Sequence, residues 1–191
     1  MIIGVTGYYC AGKAEVAKFL KGEKFTHYSL SDDIRKELKK KRKKLSKENQ
    51  INLGNEIREK SGAGELAKRV ASRIKPKKDY VITSIRNKGE VVELMKFPDF
   101  ILVNVISPQM NRFDRTKKRN RAGDPKTFED FVKKERVEFS EISTKQQLHL
   151  VGRMADIIIN NNKSLEEFHR KIDRMLADWY PRFHPEARNG D

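Results

Sequence analysis

Gly7-Tyr8-Tyr9-Cys10-Ala11-Gly12-Lys13 is the stretch of this 191-residue chain whose residue types and spacing come closest to a chemistry. It fits the first seven positions of G-x-x-x-x-G-K-[ST], a turn that wraps phosphate. Gly7 and Gly12 permit backbone angles that side chains forbid. The turn's N–H groups then converge on an anion at a helix N-terminus. Lys13 adds a point charge beside the β- and γ-phosphates. The expected ligand is ATP or GTP as phosphoryl donor with Mg²⁺, gripped by Gly7, Cys10, Ala11, Gly12, Lys13, Ala14 and Glu15. The eighth position departs from the pattern. Ala14 stands where Ser or Thr supplies an oxygen to Mg²⁺, so the ion must rest on nucleotide and water, or transfer is weakened.

Other charged residues could serve phosphoryl transfer, which asks for positioning and positive charge rather than covalent chemistry. Arg112, Arg115, Arg119 and Arg121 are concentrated in an Arg- and Lys-rich stretch, 112–126. Their planar forks match phosphate oxygens better than Lys does. Asp32 and Asp33 follow the second expected strand, near a ligand crevice, although N-capping of the next helix explains one of them equally well. Arg35, Arg58 and Arg86 are candidates for an acceptor's phosphate. His27, His149, His169 and His184 have no metal-ligand spacing and read as ordinary strand, helix or tail residues, so no protein metal site is expected.

The elements that must position these groups follow from hydrophobic periodicity. Apolar runs predict strands at 1–6, 25–30, 79–84, within 97–107 and at 155–161. Helical spacing appears at 13–21, from Ser31 through Leu45, in two helices over 48–75 broken at Ser61-Gly62-Ala63-Gly64, and at 88–96, 127–139 and 164–179. Strands alternating with helices imply a parallel sheet covered on both faces. The tail from Pro181 has no periodicity and is expected to be loose. A net charge of +15 attracts anions of several kinds. One cysteine excludes an intramolecular disulfide and suggests a reducing compartment. The start MIIGVT lacks a signal-peptide core, and no apolar run reaches the roughly 20 residues of a membrane span, so a cytoplasmic protein without membrane contact is expected.

With these pieces in place, the chain resembles P-loop nucleoside monophosphate kinases of the adenylate-kinase-like and dephospho-coenzyme-A-kinase-like type. GYYCAGKAEVAKFL resembles their opening, with Cys10 in place of a Gly and Glu15 in place of a Thr. SLSDDIRKEL (29–38) is similar to the L-S-D-x-[IL]-R segment that opens the acceptor region. NLGNEIREKSGAGELAKRV (52–70), ITSIRNKGEV (82–91), MNRFDRTKKRNRAGDPKTFEDF (110–131) and ADIIINNNKSLEEF (155–168) resemble stretches of related nucleotide kinases and of the kinase-like half of some deoxycytidylate deaminases. The zinc deaminase half is absent, with no H-x-E and no P-C-x-x-C.

The resemblance implies a three-layer α/β/α P-loop fold over 1–180, an acceptor-binding helical insert at about 32–75 and an Arg-rich lid at about 110–136. It implies that Arg112 and Arg115 close over the nucleotide phosphates, with Arg119 beside them. Asp32, which matches the L-S-D position, is the carboxylate expected to orient the acceptor hydroxyl or to help hold Mg²⁺ through water. The family carries an Asp where Thr83 ends the third strand here. The implied activity is transfer of phosphate to a small anionic acceptor, such as a nucleoside monophosphate or dephospho-coenzyme A. A second reading remains open. Nine of the thirteen residues from Arg35 to Lys47 are Lys or Arg. As a basic helix they could hold nucleic-acid phosphates in a nucleotide-binding protein that no longer turns over.

Overall fold

The computed structural model describes residues 1–121 and 123–185. Its sheet has five parallel strands, β1 (Ile2–Gly7), β2 (Thr26–Ser29), β3 (Tyr80–Thr83), β4 (Phe100–Ile106) and β5 (Ile157–Asn160), in the order β2-β3-β1-β4-β5. β1 lies at the centre and is buried along its whole length. The period-two alternation of a strand sends its side chains to two cores. Ile3 and Val5 join Val16 and Leu20 of α1 (Lys13–Gly22) and Phe168, Ile172 and Met175 of α9 (Leu165–Phe183). Ile2 joins the opposite core with helices α2 (Leu30–Lys40), α3 (Lys47–Ser61), α4 (Glu65–Ala71), α5 (Lys88–Leu94) and α8 (Leu148–Arg153). Helices on both faces of an all-parallel sheet give the three-layer α/β/α architecture expected from the sequence.

The strand order makes the chain reverse its direction of travel at β1, so the crevice beyond the carboxyl ends of the strands opens beside Gly7. Over that edge lie α6 (Gln109–Arg119) and α7 (Phe128–Arg136). They are tied by Phe113, which packs edge-on against Phe128 and Phe131 at 5.6 and 5.7 Å.

Three boundaries differ from the sequence expectation. The basic stretch 35–47 is not one helix. α2 stops at Lys40, and Lys39 through Leu45 are exposed before α3 begins at Lys47. Like charges at helical spacing repel, and Leu45, 41% exposed, is not buried enough to anchor a further turn. The tail is helical three residues beyond its expected start. α9 continues through Pro181 to Phe183, held by the stack of Trp179 on Phe183 and by Arg182 over Trp179. Residues 186–191 of that tail lie outside the described residues. Finally, α8 forms in a stretch whose six residues were too short for a periodic signal.

Candidate functional site: a cationic cleft at the P-loop

The loop after β1 is built by close approach. Gly7 has φ 138°, and a Cβ there would stand 2.3 Å from the Val105 carbonyl oxygen. Gly12 has φ 119°, and its Cβ would meet the Asn161 amide at 2.4 Å. Cys10, where related kinases carry Gly, also takes a left-handed backbone, φ 58°. The turn thus keeps the glycine conformation without the glycine. Lys13 folds back beneath it and donates from Nζ to the carbonyls of Gly7 at 2.6 Å and Tyr8 at 2.8 Å. Withdrawal from solvent, reinforced by Arg86, pulls the Lys13 ammonium down to about 8.

Side chains from distant elements clamp the loop from behind. Asn161, at the end of β5, donates to the Ala11 carbonyl at 2.8 Å. Arg115 of α6 reaches the carbonyls of Ala11 at 3.3 Å and Asn161 at 2.6 Å. Arg112, only 4% exposed, donates to the Tyr9 carbonyl at 3.1 Å and to the Ser107 carbonyl at 2.9 Å, and pairs with Glu135 of α7. Arg119 binds Asp124 at 2.6 Å and the Tyr9 hydroxyl at 2.7 Å. Burial and the hydrogen bond to Asp124 push the Tyr9 phenol upward, and burial does the same to the Cys10 thiol.

A cavity of about 790 Å³ opens in front of the loop. At its far wall, β2 and β3 end in three hydroxyls. Ser29, Ser31 and Ser84 lie within 2.9 to 3.2 Å of one another. Arg35 donates to Ser31 at 2.8 Å and to Asp32 at 2.5 Å. Ile34, Ile51 and Leu66 add an apolar floor. Between loop and wall stand Lys47 and Arg86, both bound to the buried carboxylate of Glu138, at 2.9 and 2.8 Å. Burial drives the Glu138 carboxyl up, but Arg86, Lys47 and Lys13 outweigh it and hold it at about 2.

This arrangement has relatives. The chain is 32% identical to a UPF0200 protein of Thermococcus kodakarensis over 93% of its length and 97% of that protein's. It is likewise 32% identical to a UPF0200 protein of Pyrococcus horikoshii, over 93% of this chain and 96% of the other. The chain belongs to the UPF0200 family. No family model matches it. Among solved structures, this UPF0200 chain is similar to the shikimate kinase of Acinetobacter baumannii in complex with shikimate, with a TM-score of 0.57, 17% identity and 93% of each chain covered. It is also similar to the Mycobacterium tuberculosis APS kinase in complex with AMPPNP and APS, with a TM-score of 0.52 and 17% identity over 92% and 96% of the two chains. At such identities the likeness shows the fold, which is that of P-loop kinases.

The structure brings Lys13, Asp32, Arg35, Arg86, Arg115 and Arg119 to one cavity. Arg112 lies elsewhere, in the packing between α6, α7 and the loop, with its guanidinium spent on Glu135 and backbone carbonyls. Arg58 touches the cavity but is 2% exposed and pairs with Glu90 of α5 at 2.8 Å. Glu15 turns toward His169 at 2.9 Å. Asn87 caps α5 in a capping box with Glu90 and ties residues 143 and 145 to it. Lys47, Glu138 and the serine trio escaped the sequence reading. Lys47 was hidden in a run of surface lysines, and Glu138 among the charges ending a helix. No helix among the described residues is long and apolar enough to cross a membrane.

Proposed function

We propose that this chain is a phosphotransferase that takes ATP or GTP as donor and a small anionic acceptor, joined in the cleft between the P-loop and the β2–β3 edge. The supporting observation is that Lys13, folded under a loop of left-handed residues, opens on the same cavity as Asp32, Arg35 and Arg86. In this reading the loop N–H groups and Lys13 hold the donor's phosphates. Arg35 and Arg86 hold the acceptor's anionic group. Asp32 and the serine trio orient the attacking group, a hydroxyl whose proton passes to Asp32 or, in a nucleoside monophosphate, a phosphate oxygen; its oxygen bonds to the γ-phosphorus as the bond to the bridging oxygen breaks and the nucleoside diphosphate leaves. Arg115 and Arg119 draw closer to the donor as α6 and α7 settle on it.

Mg²⁺ neutralises the phosphate charge in such transfers. Few protein oxygens are placed for it. Ala14 has none, the Thr83 hydroxyl is engaged by His27 at 2.8 Å, and Asp32 is paired with Arg35. Among the described residues no cluster of three His, Cys, Asp or Glu could hold an ion. A Mg²⁺ ion that keeps its waters and travels on the nucleotide phosphates, meeting Asp32 alone, suits this site.

Incubation with ATP or GTP and a panel of nucleoside monophosphates, dephospho-coenzyme A and anionic hydroxy-compounds, followed by release of nucleoside diphosphate, tests the proposal. Acceptor-dependent release is expected. Its absence across the panel favours the second reading, a nucleotide-binding protein without turnover. That reading draws on the bare Ala14 and on exposed Lys39–Lys44, which offer phosphate contacts to nucleic acid. Nucleic-acid affinity that falls steeply with salt is its mark.

A further inference from the structure

Glu138 is out of place for a phosphate site. It is 2% exposed, it stands between Lys47 and Arg86, and it neutralises cations that a phosphate ligand needs. Its carboxylate lies 2.9 Å from Lys47 Nζ and 2.8 Å from the Arg86 guanidinium. Lys13 also faces it from the loop, and Lys134 adds positive charge near Lys47. Three cations, Lys13, Lys47 and Arg86, therefore share one carboxylate, which leaves two positive charges without a countercharge from Glu138. Lys47 leans over the Tyr9 ring, 4.3 Å from its centre, so its ammonium is already at the edge of the P-loop.

The segment that carries Glu138 is anchored in a particular way. Its backbone holds on to the stretch before α8, with Leu148 N–H donating to the Glu138 carbonyl at 3.0 Å and Gln147 N–H to the Arg86 carbonyl at 2.8 Å. Next to it, Phe139 packs against Tyr8 of the loop with centroids 5.3 Å apart, yet remains 38% exposed. The flanking Val137 and Ile142 are exposed by more than half. The carboxylate is buried; the segment that delivers it exposes Val137, Phe139 and Ile142 at the end that rests on the P-loop, and is held at its other end by Asn87, which donates to the carbonyls of Ser143 and Lys145.

We propose that Lys47 and Arg86 form a phosphate subsite and that Glu138 is its resident stand-in, displaced when a phosphate oxyanion enters. This assignment rests on reading the cleft as a phosphate site, and adds to it Lys47 as a ligand and Glu138 as an internal competitor. A carboxylate and a phosphate oxyanion offer the same acceptor oxygens to an ammonium and a guanidinium. The incoming group carries more charge, so it draws more from the three cations than Glu138 does. The exchange makes the cleft less sticky toward weak monoanions and couples ligand entry to movement of the 137–147 segment against Tyr8.

Calorimetric titration with two probes tests this: inorganic tripolyphosphate for a donor-like chain, and ribose 5-phosphate for an acceptor-like monoester. Glu138→Gln keeps shape and removes the competing charge. It should bind one of the probes about tenfold more tightly than the parent protein, and which probe gains reports whose phosphate the subsite takes. Lys47→Gln should weaken the same probe by about tenfold, and serves alone if Glu138→Gln does not fold. If Glu138 is a strut that merely holds Lys47 and Arg86 in place, Glu138→Gln binds both probes no better or more weakly, and Lys47→Gln changes nothing; either result overturns the proposal. A parent protein that binds tripolyphosphate in a Lys13-dependent way, with no gain in Glu138→Gln, removes this inference and leaves the phosphotransferase reading intact. Failure of parent and variant to bind either probe removes both.

Discussion

At the scale of single residues, the site is a problem in placing charge. Lys13 is held by two carbonyls and depressed to about 8, so it is the group that titrates nearest neutrality in the loop. Tyr9 and Cys10 beside it are both pushed upward by burial. Phosphate binding needs the ammonium form. Tripolyphosphate affinity should therefore fall as pH rises through about 8, by up to about tenfold per pH unit, in a titration run from about pH 7 to about pH 9.5. Flat affinity across that window would mean that Lys13 does not hold the anion. Stability moves the other way. A folded-state lysine below its unfolded value of 10.5 costs stability while charged, and that cost fades as pH climbs from about 8 to about 10.5. Ala14 makes a second residue-scale prediction. Ala14→Ser restores a hydroxyl at the exposed start of α1, and should strengthen nucleotide binding in Mg²⁺ while leaving metal-free binding near the parent value. Equal gains with and without Mg²⁺ would show that the new hydroxyl serves the loop and not the ion.

At the scale of elements, buried ion pairs lock the helices that frame the cleft. Arg58 of α3 donates twice to one Glu90 oxygen, at 3.0 and 2.8 Å, while the other accepts from the backbone of Arg86 at 2.7 Å and Asn87 at 3.1 Å. Glu90 thus joins α3 to the turn that presents Arg86. Arg58→Ala leaves that carboxylate buried without its partner and should cost about 3–5 kcal/mol in chemical denaturation. A loss below about 1 kcal/mol would mean that the pair is open to water, and would return Arg58 to the role of a free acceptor ligand. Here the limits of the sequence are physical. Arg58 reads as available because Glu90 lies 32 residues away and on another helix. Lys47 reads as surface because its neighbours are surface, although Glu138, 91 residues on, draws it inward. The P-loop is legible because strand, turn and helix are contiguous and Gly7 and Gly12 supply the positive φ that the turn itself needs. Groups that meet only across the sheet edge carry no local signal.

At the scale of the molecule, five parallel strands with β1 at the centre bring Lys13, Asp32, Arg35, Arg86, Arg115 and Arg119 to one edge. Alternating apolar strands and amphipathic helices made that architecture readable, since each element buries its own face. The length of the basic helix was not readable from charge alone, because the packing that would extend it beyond Lys40 is missing. The fold therefore supplies a cationic cleft beside the P-loop, and the proposed phosphotransfer requires that Lys13 hold a nucleotide there. Calorimetric titration of ATP and GTP into the parent protein and into Lys13→Ala, with folding of the variant confirmed by circular dichroism, tests that requirement most directly. Saturable binding of at least one nucleotide by the parent is expected, with a loss of about tenfold or more in the variant. Unchanged affinity in a folded Lys13→Ala protein would contradict it.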